Sequence, residues 1–318
     1  MRVLRIGLFL LMYCVCVHNA LAQTEQGTLI TRLHIPGAEK VAWSNDSSKL
    51  AISTSEQITV WDTQNWQLLY HIPDAYAHAI DWHPTRNELA GLQVGRQIQV
   101  SIWDGDTGEL LKCIGRERPD GIVGPAVARD LAWNPDGTRI ASDSVSNTIL
   151  LWDIDAESTT EITPPDAYHN VLELSWSSDG KYLLSAGLDQ TIRVWDVRTG
   201  KNTATVYGYK YATWNPEGTH FAGAGEANCV NIWRLETLEI EQQFCGHTST
   251  VTSVDWNNNG NMLSSTDADK HLFLWDVLSG TQVRSEFSAD FDAWNAVWSP
   301  DGLRLAIVTL EDVVIAGW

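Results

Sequence analysis

The sequence predicts an all-β fold, a seven-bladed β-propeller in which each blade is a four-stranded antiparallel sheet. Three observations support this prediction. Tryptophan is abundant, with 16 residues against three methionines. Fourteen of these tryptophans lie on a lattice that repeats seven times, with a period in the range of about 40–45 residues that is typical of propellers. Within each period, short segments of alternating polarity are separated by turns containing glycine, which is typical of strands rather than helices.

The tryptophan lattice consists of two sets that alternate along the chain. Members of the first set end an apolar run, and most are followed by Asp. They are Trp61, Trp103, Trp152, Trp195, Trp233, Trp275 and Trp318, at steps of 42, 49, 43, 38, 42 and 43 residues. The second set lies 18 to 21 residues earlier in each unit and comprises Trp43, Trp82, Trp133, Trp176, Trp214, Trp256 and Trp298. Because one repeat accounts for the whole length, residues 23–318 are predicted to form a single domain of seven repeats.

The unit at residues 171–208 shows how four strands fit into one period. Strands are predicted at 171–176, 182–186, 191–195 and 203–207. A Ser-Ser-Asp-Gly turn separates the first two, and its Gly180 supplies a positive φ at no steric cost. Comparable turns occur at Asn134–Gly137, Asn215–Gly218, Asn258–Gly260 and Ser299–Gly302.

The two ends of the repeat region predict how the ring closes. The sequence ends on Trp318, at the close of the third strand of the seventh unit, so that unit lacks a fourth strand. The segment Gly27–His34 precedes Trp43 much as a fourth strand precedes the next unit elsewhere. We therefore expect the N-terminal strand to complete the last blade, which would remove an open sheet edge.

Residues 1–22 have the features of a cleavable secretory signal peptide. Arg2 and Arg5 are followed by an apolar run and by Ala20-Leu21-Ala22, a small-x-small cleavage site. An uncleaved membrane anchor is the alternative, but the apolar run is shorter than the ~20 residues that a spanning helix needs. A secreted or periplasmic protein beginning at Gln23 is predicted, with no membrane insertion after cleavage.

The net charge restricts the classes of partner. Loss of Arg2 and Arg5 changes the formal charge from −19 to −21. Such an acidic surface repels nucleic acid and anionic lipid, so no nucleic-acid partner is expected. The charge is compatible with a cationic partner or with cation binding, but we favour the simpler explanation that it only maintains solubility. A monomer is expected.

Three cysteines follow the predicted cleavage site. Cys229 and Cys245 lie symmetrically about Thr237, so a hairpin centred there would place them opposite each other. A disulfide is plausible in an oxidising compartment, and two reduced, buried thiols are an equal alternative. Cys113 belongs to another unit and is expected to stay unpaired.

The Trp-Asp lattice resembles the WD40 repeat family over residues 27–318. The sixth unit contains the family's Gly-His pair, Gly246-His247. The resemblance implies a hydrogen-bonded chain of side chains inside a blade. Its members would be His247, Ser265, Asp269 and Trp275 in the sixth unit and Ser185, Asp189 and Trp195 in the fourth. A buried indole N–H needs such an acceptor.

No catalytic, cofactor-binding or metal-binding pattern was found in the sequence. Nucleophile-elbow, P-loop and Rossmann motifs are missing, and the nine histidines have no metal-ligand spacing. Acidic pairs such as Asp104/Asp106 and Asp267/Asp269 do not continue into a calcium loop. We therefore expect no cofactor and no resident metal.

Propellers bind partners where the fourth-to-first and second-to-third strand loops emerge, here named the loop face. The longest insertion, residues 115–125, lies there and explains the 49-residue step. Aromatic and Arg side chains are typical interface anchors. The predicted partner-binding residues are Arg116, Arg118, Tyr168, Tyr209, Phe291 and Trp294, and Tyr76 and Tyr211 belong to the same class of loop.

The predicted function is a non-enzymatic WD40 protein-interaction scaffold outside the cytoplasm, with a protein partner on the loop face. The alternative is an exported propeller enzyme, or a calcium- or glycan-binding propeller, that uses loop carboxylates near the central channel. Carboxylates that converge on the channel would favour the alternative. An exposed aromatic–Arg rim would favour the scaffold.

Overall fold

The computed structural model describes residues 27–75, 77–94, 97–117, 129–144, 148–164, 170–283 and 292–318. These residues form seven four-stranded antiparallel sheets arranged as the blades of a propeller. The predicted fold is confirmed. The predicted signal peptide lies outside the described residues, as do Arg118, Tyr168 and Phe291.

The chain begins with β1 (Thr28–His34) and then builds the blades in order. Blade 1 contains β2 (Ala38–Trp43), β3 (Lys49–Thr54), β4 (Gln57–Asp62) and β5 (Leu68–Pro73). Blade 2 contains β6 (Ala77–Trp82), β7 (Glu88–Val94), β8 (Gln97–Asp104) and β9 (Leu110–Glu117). Blade 3 contains β10 (Leu131–Trp133), β11 (Arg139–Asp143), β12 (Ile149–Asp153) and β13 (Ser158–Ile162).

Blades 4 to 6 repeat the same order. Blade 4 contains β14 (Val171–Trp176), β15 (Tyr182–Gly187), β16 (Thr191–Asp196) and β17 (Lys201–Tyr207), in agreement with the four predicted strands. Blade 5 contains β18 (Tyr209–Trp214), β19 (His220–Ala224), the 3₁₀ turn Glu226–Asn228, β20 (Val230–Arg234) and β21 (Ile240–Phe244). Blade 6 contains β22 (Val251–Trp256), β23 (Met262–Asp267), β24 (Leu272–Asp276) and β25 (Thr281–Val283).

Blade 7 confirms the predicted closure of the ring. It contains β26 (Asn295–Trp298), β27 (Arg304–Val308) and β28 (Asp312–Gly317), with β1 as its fourth strand. The register between β1 and β28 runs from Thr28 opposite Gly317 to His34 opposite Asp312. Both ends of the ring are thus joined by main-chain hydrogen bonds, so β28 has no open edge.

The hydrophobic core lies between neighbouring blades. The first strands contact each other around the ring and line a central channel. Each core cluster combines residues of two blades, as where Trp256 and Trp275 of blade 6 pack on Val230 and Phe244 of blade 5. Trp152 and Trp195 are fully or almost fully buried, at 0% and 1% exposure. The tryptophan lattice is therefore the set of side chains that fills the spaces between blades.

Two kinds of connection define the two faces of the ring. The loop face carries the fourth-to-first and second-to-third loops, and the opposite face, here named the turn face, carries the tight turns. Gly180 has φ 68°, as its turn requires. Within the described residues, no helix is long and apolar enough to cross a membrane.

Candidate functional site: blade networks, channel and mouth

Blade 6 contains a continuous chain of buried hydrogen bonds. Trp275 Nε1 donates to Ser265 Oγ at 2.8 Å, and Ser265 Oγ lies 2.7 Å from His247 Nε2. His247 Nδ1 lies 2.9 Å from Asp267 Oδ2. Both His247 and Asp267 have fully buried side chains. The chain satisfies the indole, hydroxyl and imidazole groups that burial would otherwise leave unpaired.

The carboxylate of this chain is Asp267 and not Asp269, which corrects the assignment made from the resemblance. Asp267 ends β23 opposite Val251, so its side chain points into the blade, and it also accepts the His271 N–H at 2.9 Å. Asp269 lies two residues further on, in an exposed turn, where its Oδ2 accepts from Thr248 Oγ1 at 3.3 Å. The end of β23 decides which carboxylate is buried, because Asp267 is its last residue and Asp269 already lies in the turn that follows.

Blades 3 and 4 use parts of the same arrangement. In blade 4, Trp195 Nε1 donates to Ser185 Oγ at 2.8 Å, and Asp189 pairs with the buried Arg193 at 2.8 Å. In blade 3, Trp152 Nε1 donates to Ser142 Oγ at 2.9 Å. The spacing of four residues between Asp189 and Arg193 was a signal in the sequence for this ion pair.

Ser265, His247 and Asp267 are hydrogen-bonded in the sequence serine, histidine, aspartate, as in a hydrolase triad. Unlike the serine of such a triad, Ser265 is not accessible to a substrate. Ser265 is 0% exposed, and its Oγ already accepts the indole N–H of Trp275. Burial lowers the pKa of His247, against the opposing effect of Asp267. Burial opposes the ionisation of Asp267, but hydrogen bonds from the His271 N–H and from His247 outweigh it and lower the pKa. No substrate can reach this hydroxyl, so these groups hold the blade together.

Asp267→Asn is expected to destabilise the protein by about 1–3 kcal/mol, because an amide cannot replace a buried carboxylate that accepts from His247 and the His271 N–H. Asp269→Asn is the matched control, and its effect should stay within about 0.5 kcal/mol. Urea unfolding of the two variants and the parent provides the measurement. Equal destabilisation by both variants would contradict the assignment of Asp267.

The central channel is lined by side chains at two repeated positions of the first strands. Three residues before each tryptophan stand Lys40, Ala79, Asp130, Glu173, Tyr211, Ser253 and Asn295. One residue before it stand Ala42, Asp81, Ala132, Ser175, Thr213, Asp255 and Val297. Four carboxylates therefore converge on a cavity of about 270 Å³.

Three of these carboxylates form hydrogen bonds that join the inner strands of neighbouring blades. Asp81 accepts the Trp133 N–H at 2.8 Å, and Asp255 accepts the Trp298 N–H at 2.7 Å. Asp130 accepts the Leu174 N–H at 2.7 Å. Each bond runs from the side chain of one blade to the free edge of the next, where main-chain donors would otherwise be unpaired.

Lys40 of blade 1 reaches across the channel and places a positive charge among the channel carboxylates. Its Nζ lies 3.1 Å from Asp130 Oδ1 of blade 3 and 3.7 Å from Glu173 Oε2 of blade 4. Burial acts to lower the pKa of Lys40, but the two carboxylates outweigh it and raise the pKa. Sequence reasoning did not single out Lys40, because one lysine becomes notable only when the other blades show carboxylates beside it.

Burial raises the pKa of three channel carboxyls, those of Asp81, Asp255 and Glu173. The pKa of Asp81 rises to about 7, despite its hydrogen bond from the Trp133 N–H and with a contribution from Asp130. Burial raises the pKa of Asp255 to about 7 as well. Burial also raises the pKa of Glu173, with Lys40 opposing the effect of burial. The pKa values rise because a charged carboxylate is poorly solvated in the buried channel.

The mouth of the channel opens on the loop face as a second cavity of about 270 Å³. Here it is named the mouth pocket, and its lining includes Glu39, His78, Arg129, Tyr211 and Trp294. His78 Nδ1 pairs with Glu39 Oε2 at 2.5 Å. Arg129 is exposed, and its guanidinium makes no ion pair within the described part of the chain. Trp294 is 45% exposed.

The predicted partner-binding residues are only partly brought together. Trp294 lies at the mouth pocket, and Tyr209 is half-buried and packs on the core cluster of blades 5 and 6. Arg116 lies in β9 on the outer side of blade 2, but its side chain is outside the described residues. Arg129 was missed in the sequence because it follows the long insertion rather than lying within it.

Cys229 and Cys245 form a disulfide in blade 5. Cys229 precedes β20 and Cys245 follows β21, so the bond joins two loops on the loop face. Cys113 is a free, exposed thiol on β9. Within the described residues, no group of three or more His, Cys, Asp or Glu side chains is arranged to hold a metal ion.

These features define a β-propeller whose repeats are anchored by tryptophan. The family model "WD domain, G-beta repeat" matches residues 122–153, 163–196 and 238–276. The chain therefore contains WD40 repeats. The three matched segments contain Trp152, Trp195 and Trp275, the tryptophans that donate to a serine of the second strand.

Curated relatives match a shorter part of the chain. A 90-residue stretch is 28% identical to the Periodic tryptophan protein 2 homolog of Neurospora crassa. A stretch of the same length is 25% identical to the homolog of Schizosaccharomyces pombe. Each match covers 28% of this chain and 10% of the relative, so the chain spans about a tenth of the length of these relatives.

Proposed function

We propose that this chain is a non-enzymatic protein-interaction scaffold that binds its partner at the mouth pocket. The observation that carries the proposal is the exposed Trp294 in the same pocket as Arg129, whose guanidinium makes no ion pair within the described residues. Trp and Arg are the side chains most enriched at interface hot spots. The WD40 repeats support the proposal, because such propellers typically bind protein partners.

The alternative is an enzyme or a calcium- or glycan-binding propeller, and the presence of carboxylates that converge on the channel favours this alternative. However, the hydrogen bonds and ion pairs of these carboxylates favour the scaffold. Asp81, Asp130 and Asp255 accept main-chain N–H groups of the next blade, and Glu173 faces Lys40. Carboxylates that hold the ring together in this way are not free to act on a substrate.

We also propose that the protein acts outside the cytoplasm, as a secreted or periplasmic protein. The signal-like residues 1–22 support this location. The Cys229–Cys245 disulfide is consistent with it, because disulfides persist in oxidising compartments.

Chemical cross-linking of the chain in its native extracellular or periplasmic fraction, followed by mass spectrometry, tests the proposal. We expect cross-links close to the mouth pocket and an N-terminus at Gln23. Trp294→Ala and Arg129→Ala should each weaken partner capture about tenfold or more, as loss of a hot spot does.

Leu278→Ala and Arg198→Ala are the matched controls, because both residues are exposed in turns of the turn face. These controls should capture the partner normally. The scaffold proposal is overturned if no protein is retained while calcium or a glycan raises the melting temperature. It is also overturned if the two control variants lose as much capture as the mouth-pocket variants.

A further inference from the structure

On the turn face, a main-chain carbonyl at an equivalent position in several blades accepts a hydrogen bond from a side chain of the preceding blade, and we call this side chain a cap. The carbonyl belongs to the residue two positions after the third-strand tryptophan. In three junctions, a nitrogen of a long side chain in the preceding blade donates to it. The pairs are Arg304 Nη1 with Thr63 at 3.2 Å, Lys112 Nζ with Ile154 at 2.8 Å and Gln242 Nε2 with Val277 at 2.7 Å.

Two of the three caps come from the same position of the fourth strand. Lys112 lies opposite Ile102, and Gln242 lies opposite Ile232, in each case one residue before the third-strand tryptophan. The same register places Thr160 in blade 3 and Ala204 in blade 4. Neither side chain is long enough to reach the next blade.

The junctions with short residues are open. A groove of about 610 Å³ lies between blades 3 and 4 and is lined by Thr160 and Val197. A groove of about 550 Å³, here named the 4/5 groove, lies between blades 4 and 5 and is lined by Ala204 and Leu235. The carbonyls of Val197 and Leu235 accept no hydrogen bond from the described part of the chain.

The charges lining the two grooves differ. The groove between blades 3 and 4 contains three basic side chains, Arg139, Lys181 and Arg198, and two carboxylates, Asp153 and Asp196, so its basic groups outnumber its acidic groups. In the 4/5 groove the two basic side chains, His220 and Arg234, are both held by Glu241, each at 2.5 Å.

Glu236 remains in the 4/5 groove as an exposed carboxylate with no ion pair in the described residues. Tyr182, Ala204 and Leu238 supply apolar walls beside it.

We propose that the 4/5 groove is a second binding site, which takes a lysine or arginine side chain presented by a segment of a partner protein. The aliphatic stem would pack on the apolar walls, as such stems do at protein surfaces. The charged head would donate to the Leu235 carbonyl and pair with Glu236, in the way that Lys112 donates to Ile154 and pairs with Glu157 at 3.3 Å. The acidic body favours the approach of a basic segment.

The chain's own β9 provides the probe. A hexapeptide with the sequence of Leu110–Gly115, with Ser in place of Cys113, presents Lys112 in the strand frame in which it already acts as a cap. Two-dimensional amide NMR of the full chain with this peptide should show saturable shifts at Thr219, Leu235 and Glu236, with a Kd of about 1 mM or tighter. The same peptide with Ala in place of the lysine should bind at least tenfold more weakly.

Ala204→Lys should fill the groove from within and abolish these shifts. Thr205→Lys is the matched control, because it adds the same charge to the next, exposed position of β17 and should leave binding intact. The proposal is overturned by equal binding of the lysine and alanine peptides, by unchanged binding to Ala204→Lys, or by shifts confined to the mouth pocket. No saturable shift at about 1 mM peptide overturns it as well.

Discussion

A chain shortened to begin at Ile35 is expected to lose cooperative folding and to aggregate. The truncation removes β1, the fourth strand of blade 7, and exposes the edge of β28. Val313, Val314 and Ile315 of that strand are fully buried, so the open edge would be long and apolar. Such an edge is a template for pairing with another chain.

Circular dichroism melting and size-exclusion chromatography measure this effect. A chain that begins at Gln23 keeps β1 and is the matched control, which should melt in one transition as a monomer. The closure of the ring by β1 would be contradicted as a source of stability if the shortened chain melted within a few degrees of the control.

The protein is expected to be more stable at mildly acid pH than at pH 8.5. Burial raises the pKa of Asp81 and Asp255 from 3.8 to about 7. A raised pKa means that the folded state binds the proton more tightly than the unfolded chain. The stability that this contributes is complete below about pH 4 and is lost as the pH rises through 7.

Carboxylates with lowered pKa values act in the opposite direction at lower pH. Hydrogen bonds from Ser44 to Asp46 and from Lys181 to Asp179 lower the pKa of these two carboxyls to about 2. Their contribution is present above pH 4 and is lost as the pH falls towards 2. The maximum of stability is therefore expected between about pH 4 and pH 6.

Asp255→Asn tests the contribution of one channel carboxyl. The amide oxygen can still accept the Trp298 N–H, so the variant should gain on the order of 2 kcal/mol at pH 8.5 and little at pH 5. Urea unfolding between pH 5 and pH 8.5 is the measurement, and Asp269→Asn, at an exposed position, is the control. A parallel pH dependence in Asp255→Asn and the parent would contradict the raised pKa.

The function-related residues were harder to predict than the strands. Trp294 was predicted and lies at the mouth pocket, whereas Arg129 and Lys40 became visible only in the folded ring. The role of a basic residue at one blade position cannot be predicted from the sequence, because it depends on which residues lie opposite across the channel. Asp267 was confused with Asp269 because a shift of two residues at the end of a strand decides between a buried carboxylate and an exposed one.

The sequence by itself determined the number of blades, the order of their strands and the closure by β1. These follow from local and periodic signals, namely the tryptophan lattice, the alternation within strands and the turns with glycine. Only the tertiary structure decided that Lys40 meets Asp130 and Glu173, and that Ala204 leaves a groove open where Lys112 and Gln242 fill one. These contacts join blades that lie far apart in sequence, so they depend on the packing of the ring rather than on any local pattern.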